Sequence, residues 1–167
     1  MSIKEYQHSL AEQIKNAHET ESSTTVLGVA IGDSRYLVQM IEVSEVIQVP
    51  KITPVALTQP WFLGMANVRG KLYGITDLGL YLGGESVTFT AKSRILLVSS
   101  DYKINSGFMV NSMLGIRSLS DFKLVKVARK TSSAIIPRQY QDSDGRQWGE
   151  ISLHDLIQDQ SFLQIAR

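Results

Sequence analysis

Ser152, His154 and Asp155 are the residue types of a hydrolytic triad, and they lie within four positions of one another. A working triad brings nucleophile, base and orienting carboxylate together from separate elements. Three neighbours at a predicted helix start do not take that geometry. Ser152-Leu153-His154-Asp155 reads instead as a capping box, in which the Ser152 hydroxyl and the Asp155 carboxylate satisfy free N–H groups. A small hydrolase built on these three residues is the enzymatic alternative. The segment Gly64–Leu72 resembles a phosphate loop, but five residues separate Gly64 from Gly70, and Leu72 stands where magnesium needs a hydroxyl. No predicted helix follows Lys71 to present N-terminal amides. His8 and His18, ten residues apart, do not share the i, i+4 face of paired metal ligands. The chain has no cysteine, which excludes disulfides, thiolate metal sites and cysteine nucleophiles and fits a reducing compartment. Neither a metal nor a cofactor is expected.

Charged residues offer binding more than catalysis. Glu42 and Glu45 fit one turn of helix, where a solvated face is the ordinary outcome. Residues 117–138 hold Arg117, Lys123, Lys126, Arg129, Lys130 and Arg138 against Asp121, a local net of +5. A nucleic-acid groove interleaves stacking aromatics with its cations, and this segment has only Phe122. A basic contact for an acidic partner fits better; a nucleic-acid-binding β-barrel is the alternative. Across 167 residues, 17 Lys and Arg balance 16 Asp and Glu, so bulk charge gives no pull toward nucleic acid or an anionic membrane. No apolar run approaches the 18 or more residues of a membrane span, and the N-terminus lacks a signal-peptide core. A cytoplasmic protein without direct membrane insertion is expected.

The elements that position these residues follow from hydrophobic period. Residues 1–23 read as an amphipathic helix and linker: Ile3, Tyr6, Leu10, Ile14 and Ala17 recur at steps of three and four. This helix either packs on its own domain or docks a partner. Residues 24–167 read as one domain. From Thr25 the period becomes two, and Gly32-Asp33-Ser34 turns a hairpin into Arg35–Met40. Further strands are expected at Met65–Arg69, Lys71–Thr76, Arg94–Ser99, Asn105–Val110, Gly115–Leu119 and Gln147–Ile151. Short helical turns fit Glu42–Val49 and Asp77–Leu82, and a C-terminal helix follows Ser152. Many short strands with few helices imply an antiparallel barrel or sandwich.

Four segments, taken in order, resemble one known family. They are Ile41-Glu42-Val43-Ser44-Glu45-Val46-Ile47, Ile52-Thr53-Pro54-Val55, Trp61-Phe62-Leu63-Gly64-Met65-Ala66-Asn67-Val68-Arg69-Gly70, and Ile75-Thr76-Asp77-Leu78. Order and spacing are similar to the chemotaxis coupling proteins, the CheW-like family, over roughly residues 25–158. Gly107–Met113 resembles the family's later strand, with Asn111 where Asp is usual, and Gly74 stands in place of a common Pro. The polar extension before Thr25 and the endings Gln147–Leu153 and Phe162–Ala166 resemble the couplers of type IV pilus (twitching motility) systems.

The resemblance implies a mainly β fold of two interlocked five-stranded SH3-like barrels, flanked here by an N-terminal and a C-terminal helix. It implies a non-catalytic adaptor, cytoplasmic and recruited to membrane receptor arrays. Its partners would be the cytoplasmic tip of a methyl-accepting chemoreceptor and the regulatory domain of a CheA-type histidine kinase. The residues placed at the partner surface are Val43, Glu45, Val46, Asn67, Arg69 and Gly70. Arg69 offers a planar five-donor fork, either to a partner or internally to Glu45. Val43 and Val46 would floor a helix-binding groove or join the core, and Asn67 would pin its turn. Asp77 would cap the short helix after it. The insertion-like stretch 128–144 has no clear family equivalent and reads as a loop or a subgroup-specific contact.

Overall fold

A computed structural model describes residues 25–127 and 135–167, together with Gln7 and Ser9, which are helical. The expected N-terminal helix and residues 128–134 of the insertion-like stretch otherwise lie outside the described residues. The chain opens with the expected hairpin, β1 (Thr25–Ile31) and β2 (Ser34–Gln39), turned at Gly32 with φ +60°. A 3-10 turn, Met40–Glu42, leads to β3 (Val43–Gln48). Then come β4 (Phe62–Val68), β5 (Lys71–Asp77) and the short helix α1 (Leu78–Tyr81). Next are β6 (Arg94–Val98), β7 (Ser106–Val110), β8 (Ser112–Ser118) and β9 (Lys123–Val127). The chain closes with β10 (Arg138–Gln141), β11 (Gln147–Ile151), α2 (Leu153–Gln158) and α3 (Gln160–Leu163).

Two sheets result, one ordered β8-β1-β2-β11-β10-β9 and the other β3-β6-β7-β5-β4. The resemblance implied five strands in each, but the described strands divide six and five. The second sheet is wholly inserted between β2 and β8 of the first, which is what interlocks them. Most pairs are antiparallel; β11 runs parallel to β2, and β7 parallel to β5.

Two sequence expectations are corrected here. Glu42–Val49 is not helical: only Met40–Glu42 makes a turn, and Val43–Gln48 is a strand paired to β6. Val43, Val46 and Ile47 are β-branched, lose rotamer freedom in a helix and pack well on a pleated surface. The stretch 128–144 is not loop throughout, because Arg138–Gln141 pairs with both β9 and β11. β9 and β10 carry no clear strand signal in the sequence, because Lys and Gln interrupt the apolar alternation of an edge strand and its neighbour.

The main core joins both sheets and α2, with Phe108, Ile75, Ile95, Leu96, Ile151 and Leu156 fully buried. Each such side chain contributes about 1.5–3 kcal/mol. A second cluster fills the first sheet's own interior around Trp148, Val26, Leu37, Phe122 and Tyr140. The C-terminal tail seals the second sheet: Phe162 stacks on Trp61 at 5.7 Å between centroids and meets Tyr81 edge-on at 5.8 Å. Burial pushes the Tyr81 phenol up to about 12, so this ring packs as a neutral plate. Beyond α3, Gln59 and Arg167 donate backbone N–H groups to Ile165 and Leu57, both at 2.8 Å.

Asp77 caps α1 as expected, and does more. Its fully buried carboxylate accepts from Leu80 N at 3.0 Å, from Ser86 Oγ at 2.8 Å and from Val87 N at 3.0 Å. It therefore fixes the loop after the helix as well as the helix. Asp77→Ala orphans the buried Val87 N and two part-buried donors and should cost about 3 kcal/mol in urea unfolding, with Asp77→Asn costing about half as much. Equal losses for the two variants would mean that the acceptor oxygens are not what matters.

Candidate functional site

The β4–β5 hairpin turns on two residues, Arg69 and Gly70, with φ +50° and +85°. That is the type I′ geometry, which suits the twist of paired strands and favours Asn or Gly at both positions. Gly70 meets the requirement freely. Arg69 does not, since a left-handed residue with a Cβ costs roughly 1–2 kcal/mol. Asn67 offsets this: its Oδ1 accepts from Gly70 N at 2.9 Å and pins the turn, as expected. At the other end of β4, a Cβ on Gly64 would lie 2.1 Å from the Thr53 carbonyl oxygen. Gly64 is thus more than a turn residue: it lets β4 approach Thr53, which bridges Met65 through backbone bonds of 2.8 and 2.9 Å. The Ile-Thr-Pro segment is held against the hairpin in this way.

Glu45 reaches the same place from β3. A bulge between Val43 and Glu45 leaves Ser44 as the extra residue, its hydroxyl 3.3 Å from the carbonyls of Leu97 and Val98. Arg69 Nη1 donates to Glu45 Oε1 at 3.0 Å and Nη2 to Oε2, a two-pronged fork. The guanidinium holds the Glu45 carboxyl below the usual carboxylate range. Both side chains stay open to solvent, 70 % exposed for Arg69 and 38 % for Glu45. Of the two roles open to Arg69, the internal pair with Glu45 is present, and the fork still faces outward.

Glu45, Asn67, Arg69 and Gly70 therefore come together on one surface. Val43 and Val46 do not lie open beside them as a groove floor: both are half-buried and pack against the main core. The apolar surface near the fork comes instead from residues that the sequence reading did not place at the partner surface. Lys51, Thr53, Met65 and Leu72 line an open groove of about 430 Å³ with Asn67. Leu72 is 57 % exposed, and the signal for it in the sequence is a large aliphatic directly beside the Arg69-Gly70-Lys71 turn.

Glu42 is the largest departure from expectation. Instead of lying on a solvated face, it is buried and accepts from Leu153 N at 3.1 Å and His154 N at 3.3 Å, capping α2 from across the chain. Burial raises its pKa, and the nearby Glu150 charge adds to that, while the two N–H bonds oppose it. The Ser152 hydroxyl completes the cap by accepting from Asp155 N at 3.2 Å. The capping box is only half made, because Asp155 faces His154 Nδ1 at 3.2 Å and Ser152 N donates to Ile135. His154 Nε2 meets Gln158 at 3.3 Å, so the three triad types are each engaged elsewhere. Of the basic segment, Arg117 lies over the Trp148 ring at 5.1 Å and Arg138 sits 3.6 Å from buried Glu150. Those two cations are partly committed within the fold.

A surface of this kind, a stiff hairpin tip beside an open groove on interlocked sheets, belongs to a binding scaffold. Residues 25–161 match the CheW-like domain, and the chain belongs to that family, whose members are scaffold and adaptor proteins. Protein PilI of Pseudomonas aeruginosa is 28 % identical over 158 residues, covering 94 % of this chain and 88 % of the relative. Chemotaxis protein CheW of Rhizobium meliloti is 24 % identical over 104 residues, covering 62 % of this chain and 66 % of the relative. Among solved structures, the scaffolding protein TtCheW from Thermoanaerobacter tengcongensis superposes with a TM-score of 0.69 at 19 % identity. It covers 83 % of this chain and 90 % of its own, which establishes the fold.

The two glutamates titrate with opposite consequences. Glu45 is stabilised as the anion, so its contribution is present above the ordinary glutamate pKa and is lost as pH falls through its lowered value. In Arg69→Ala, the Glu45 carboxyl followed by NMR should move up toward that ordinary value; an unmoved titration would mean the fork does not persist in solution. Glu42 binds its proton more tightly folded than unfolded, so stability is lost as pH rises from the ordinary value through its raised one. Glu42→Gln should flatten that part of the urea-midpoint profile. An unchanged slope would assign the pH dependence to another group.

Proposed function

We propose that this protein is a non-catalytic adaptor that couples chemoreceptors to a CheA-type histidine kinase in a chemosensory array. The pathway we infer is the one controlling type IV pilus twitching motility. The protein works in the cytoplasm and reaches the membrane through its receptor partners. The observation that carries the reading is the Arg69 fork: an exposed guanidinium aimed by Glu45, carried on a left-handed turn that Asn67 pins through Gly70 N, beside an apolar groove. Backbone strain held at an exposed position points to use by a partner. Glu45, Asn67, Arg69 and Gly70 form the polar part of the contact, and Val43 and Val46 support it from the core side.

The pilus assignment is supported by the likeness to PilI, which runs nearly the whole chain. A flagellar chemotaxis coupler is the second reading, favoured by the CheW relatives. Against a hydrolase stands the engagement of Ser152 as a helix cap. Against a nucleic-acid barrel stands the use of Arg117 and Arg138 within the fold. Signalling interfaces are often small, so modest pairwise affinity reinforced by array avidity is expected.

Calorimetric titration of the full chain against the isolated regulatory domain of a CheA-type kinase from the same source tests the reading. One-to-one saturable binding is expected, and Arg69→Ala should weaken association with the kinase domain or with a receptor tip about tenfold or more with Tm unchanged. Normal binding by Arg69→Ala would move the contact surface elsewhere. Absence of binding to every such kinase of that source would remove the adaptor reading itself.

A further inference from the structure

A hydroxyl without a partner lines an apolar recess on the second sheet. Thr76 on β5 is fully buried, and among the described residues its Oγ1 has no hydrogen-bond partner. Its neighbour Asp77, equally buried, receives Leu80 N, Ser86 Oγ and Val87 N. A buried hydroxyl costs free energy unless it is hydrogen-bonded, so the contrast calls for an explanation. Register places the side chains around it. Phe62 on β4 and Phe108 on β7 are the ladder partners of Thr76, so all three share one face. Gly74 and Ser106 pair two residues earlier, on that same face. The C-terminal tail crosses there, with the Phe162 ring 5.7 Å from that of Phe108. Between tail and sheet lies a half-enclosed recess of about 220 Å³, floored by Gly74, Thr76 and Ser106 and walled by Phe62, Phe162 and Ile165. One water has a share of about 30 Å³ in the liquid, a small part of this space.

Size, wall chemistry and the lone hydroxyl define what fits. An apolar cavity of about 150 Å³ holds benzene. The recess is about half as large again, which corresponds to about nine ring atoms instead of six. Phe62 and Phe162 offer rings, and Met65 a polarizable sulfur, so a flat aromatic suits these walls. Among the described residues no charged side chain lines the recess, and an ionised ligand would be desolvated without compensation. The Thr76 hydroxyl can accept through either lone pair, so one donor on the ligand satisfies it. Gly74 keeps the floor open: a Cβ there would stand 3.1 Å from the Phe62 ring and 3.9 Å from Met65 Sδ.

We propose that this recess binds a small, neutral bicyclic aromatic molecule with one hydrogen-bond donor, held between the second sheet and the C-terminal tail. Indole and indene are matched probes, alike in shape and differing in the N–H group. Titrated into the full chain with isoleucine δ1-methyl groups labelled for NMR, indole should bind one-to-one with a Kd of about 0.1–1 mM. Its ring protons should give nuclear Overhauser contacts to the methyls of Ile104 and Ile165, which line the recess. The ratio of the indene Kd to the indole Kd should fall about fivefold in Thr76→Val and hold in Thr76→Ser. Without ligand, Thr76→Val should raise Tm by about 3 °C, because a methyl replaces an orphaned hydroxyl. No saturable binding at millimolar indole, or contacts that miss Ile104 and Ile165, would overturn the proposal. An unchanged ratio in Thr76→Val would do the same, as would a lowered Tm, which would give the hydroxyl a partner inside the protein. N-acetyltryptophanamide binding as tightly as indole would assign the recess to a tryptophan of a protein partner and overturn it as well.

Discussion

Glu42 holds the two halves of this fold in register. The chain leaves the first sheet at the turn Met40–Glu42, builds the whole second sheet, and returns to lay β11 parallel to β2. At the point of departure, the Glu42 carboxylate receives the first N–H groups of α2, 111 residues further on. Its carbonyl receives Ser99 N at 2.8 Å from the end of β6. One residue thus ties the first sheet, the second sheet and the C-terminal helix. Burying a carboxylate costs several kcal/mol unless its lone pairs are filled and a positive charge or dipole faces it. Here two N–H bonds and the positive end of a helix offset part of that cost, and burial still raises the Glu42 pKa. Glu150 makes a second buried acid nearby, satisfied by Gln39 Nε2 at 3.0 Å, with Tyr140 and Arg138 close to its other oxygen.

Rigidity at this junction reaches the surface through the strands it fixes. β3 begins directly after Glu42, so the bulge at Ser44 and the aim of Glu45 inherit their position from the buried cap. β4 and β5 lie at the other end of the same sheet order, yet their turn brings Arg69 back to Glu45. The fork therefore joins the two edge strands of the second sheet, which are otherwise separated by β6, β7 and β5. An exposed ion pair adds little to stability when screened by solvent. Its value here is geometric, because it sets the direction of a guanidinium whose backbone is already locked in a left-handed turn.

Local chemistry was legible in the sequence, and chemistry between distant residues was not. The β1–β2 hairpin, the Asp77 cap, the Ser152 cap and the Asn67 pin depend on neighbours within a few positions, and each was read from residue type and spacing. The family pattern added the pairing of Glu45 with Arg69, which spacing alone leaves open. Glu42 was misread as solvated because nothing nearby announces partners at 153 and 154. Glu42–Val49 reads as a helical turn because Glu42 and Glu45 satisfy a helical spacing, which the strand Val43–Gln48 with its bulge at Ser44 does not keep. β9 and β10 were missed because polar residues outnumber apolar ones in β10 and the apolar Leu124 and Val125 are adjacent rather than alternating.

Gly74 shows how a departure from the family pattern is absorbed by the fold. The pattern commonly has Pro there, and a Pro nitrogen carries no hydrogen. In this chain Gly74 N donates to the Asn105 carbonyl at 3.0 Å, one position before Gly74 pairs with Ser106 in the β5–β7 ladder. The glycine thus extends a parallel ladder that Pro would shorten. A Cβ at this position would lie 3.1 Å from the Phe62 ring, so the ring packs close over the backbone where a pyrrolidine would stand. Phe62 in turn sits edge-on to Trp61 at 6.4 Å, and Trp61 stacks on Phe162 of the C-terminal tail. Substituting Pro for Gly74 would displace Phe62 and disturb the ring cluster that anchors the tail. Gly74, Phe62, Trp61 and Phe162 therefore form one chain of packing contacts that links the β5 backbone to the C-terminal tail.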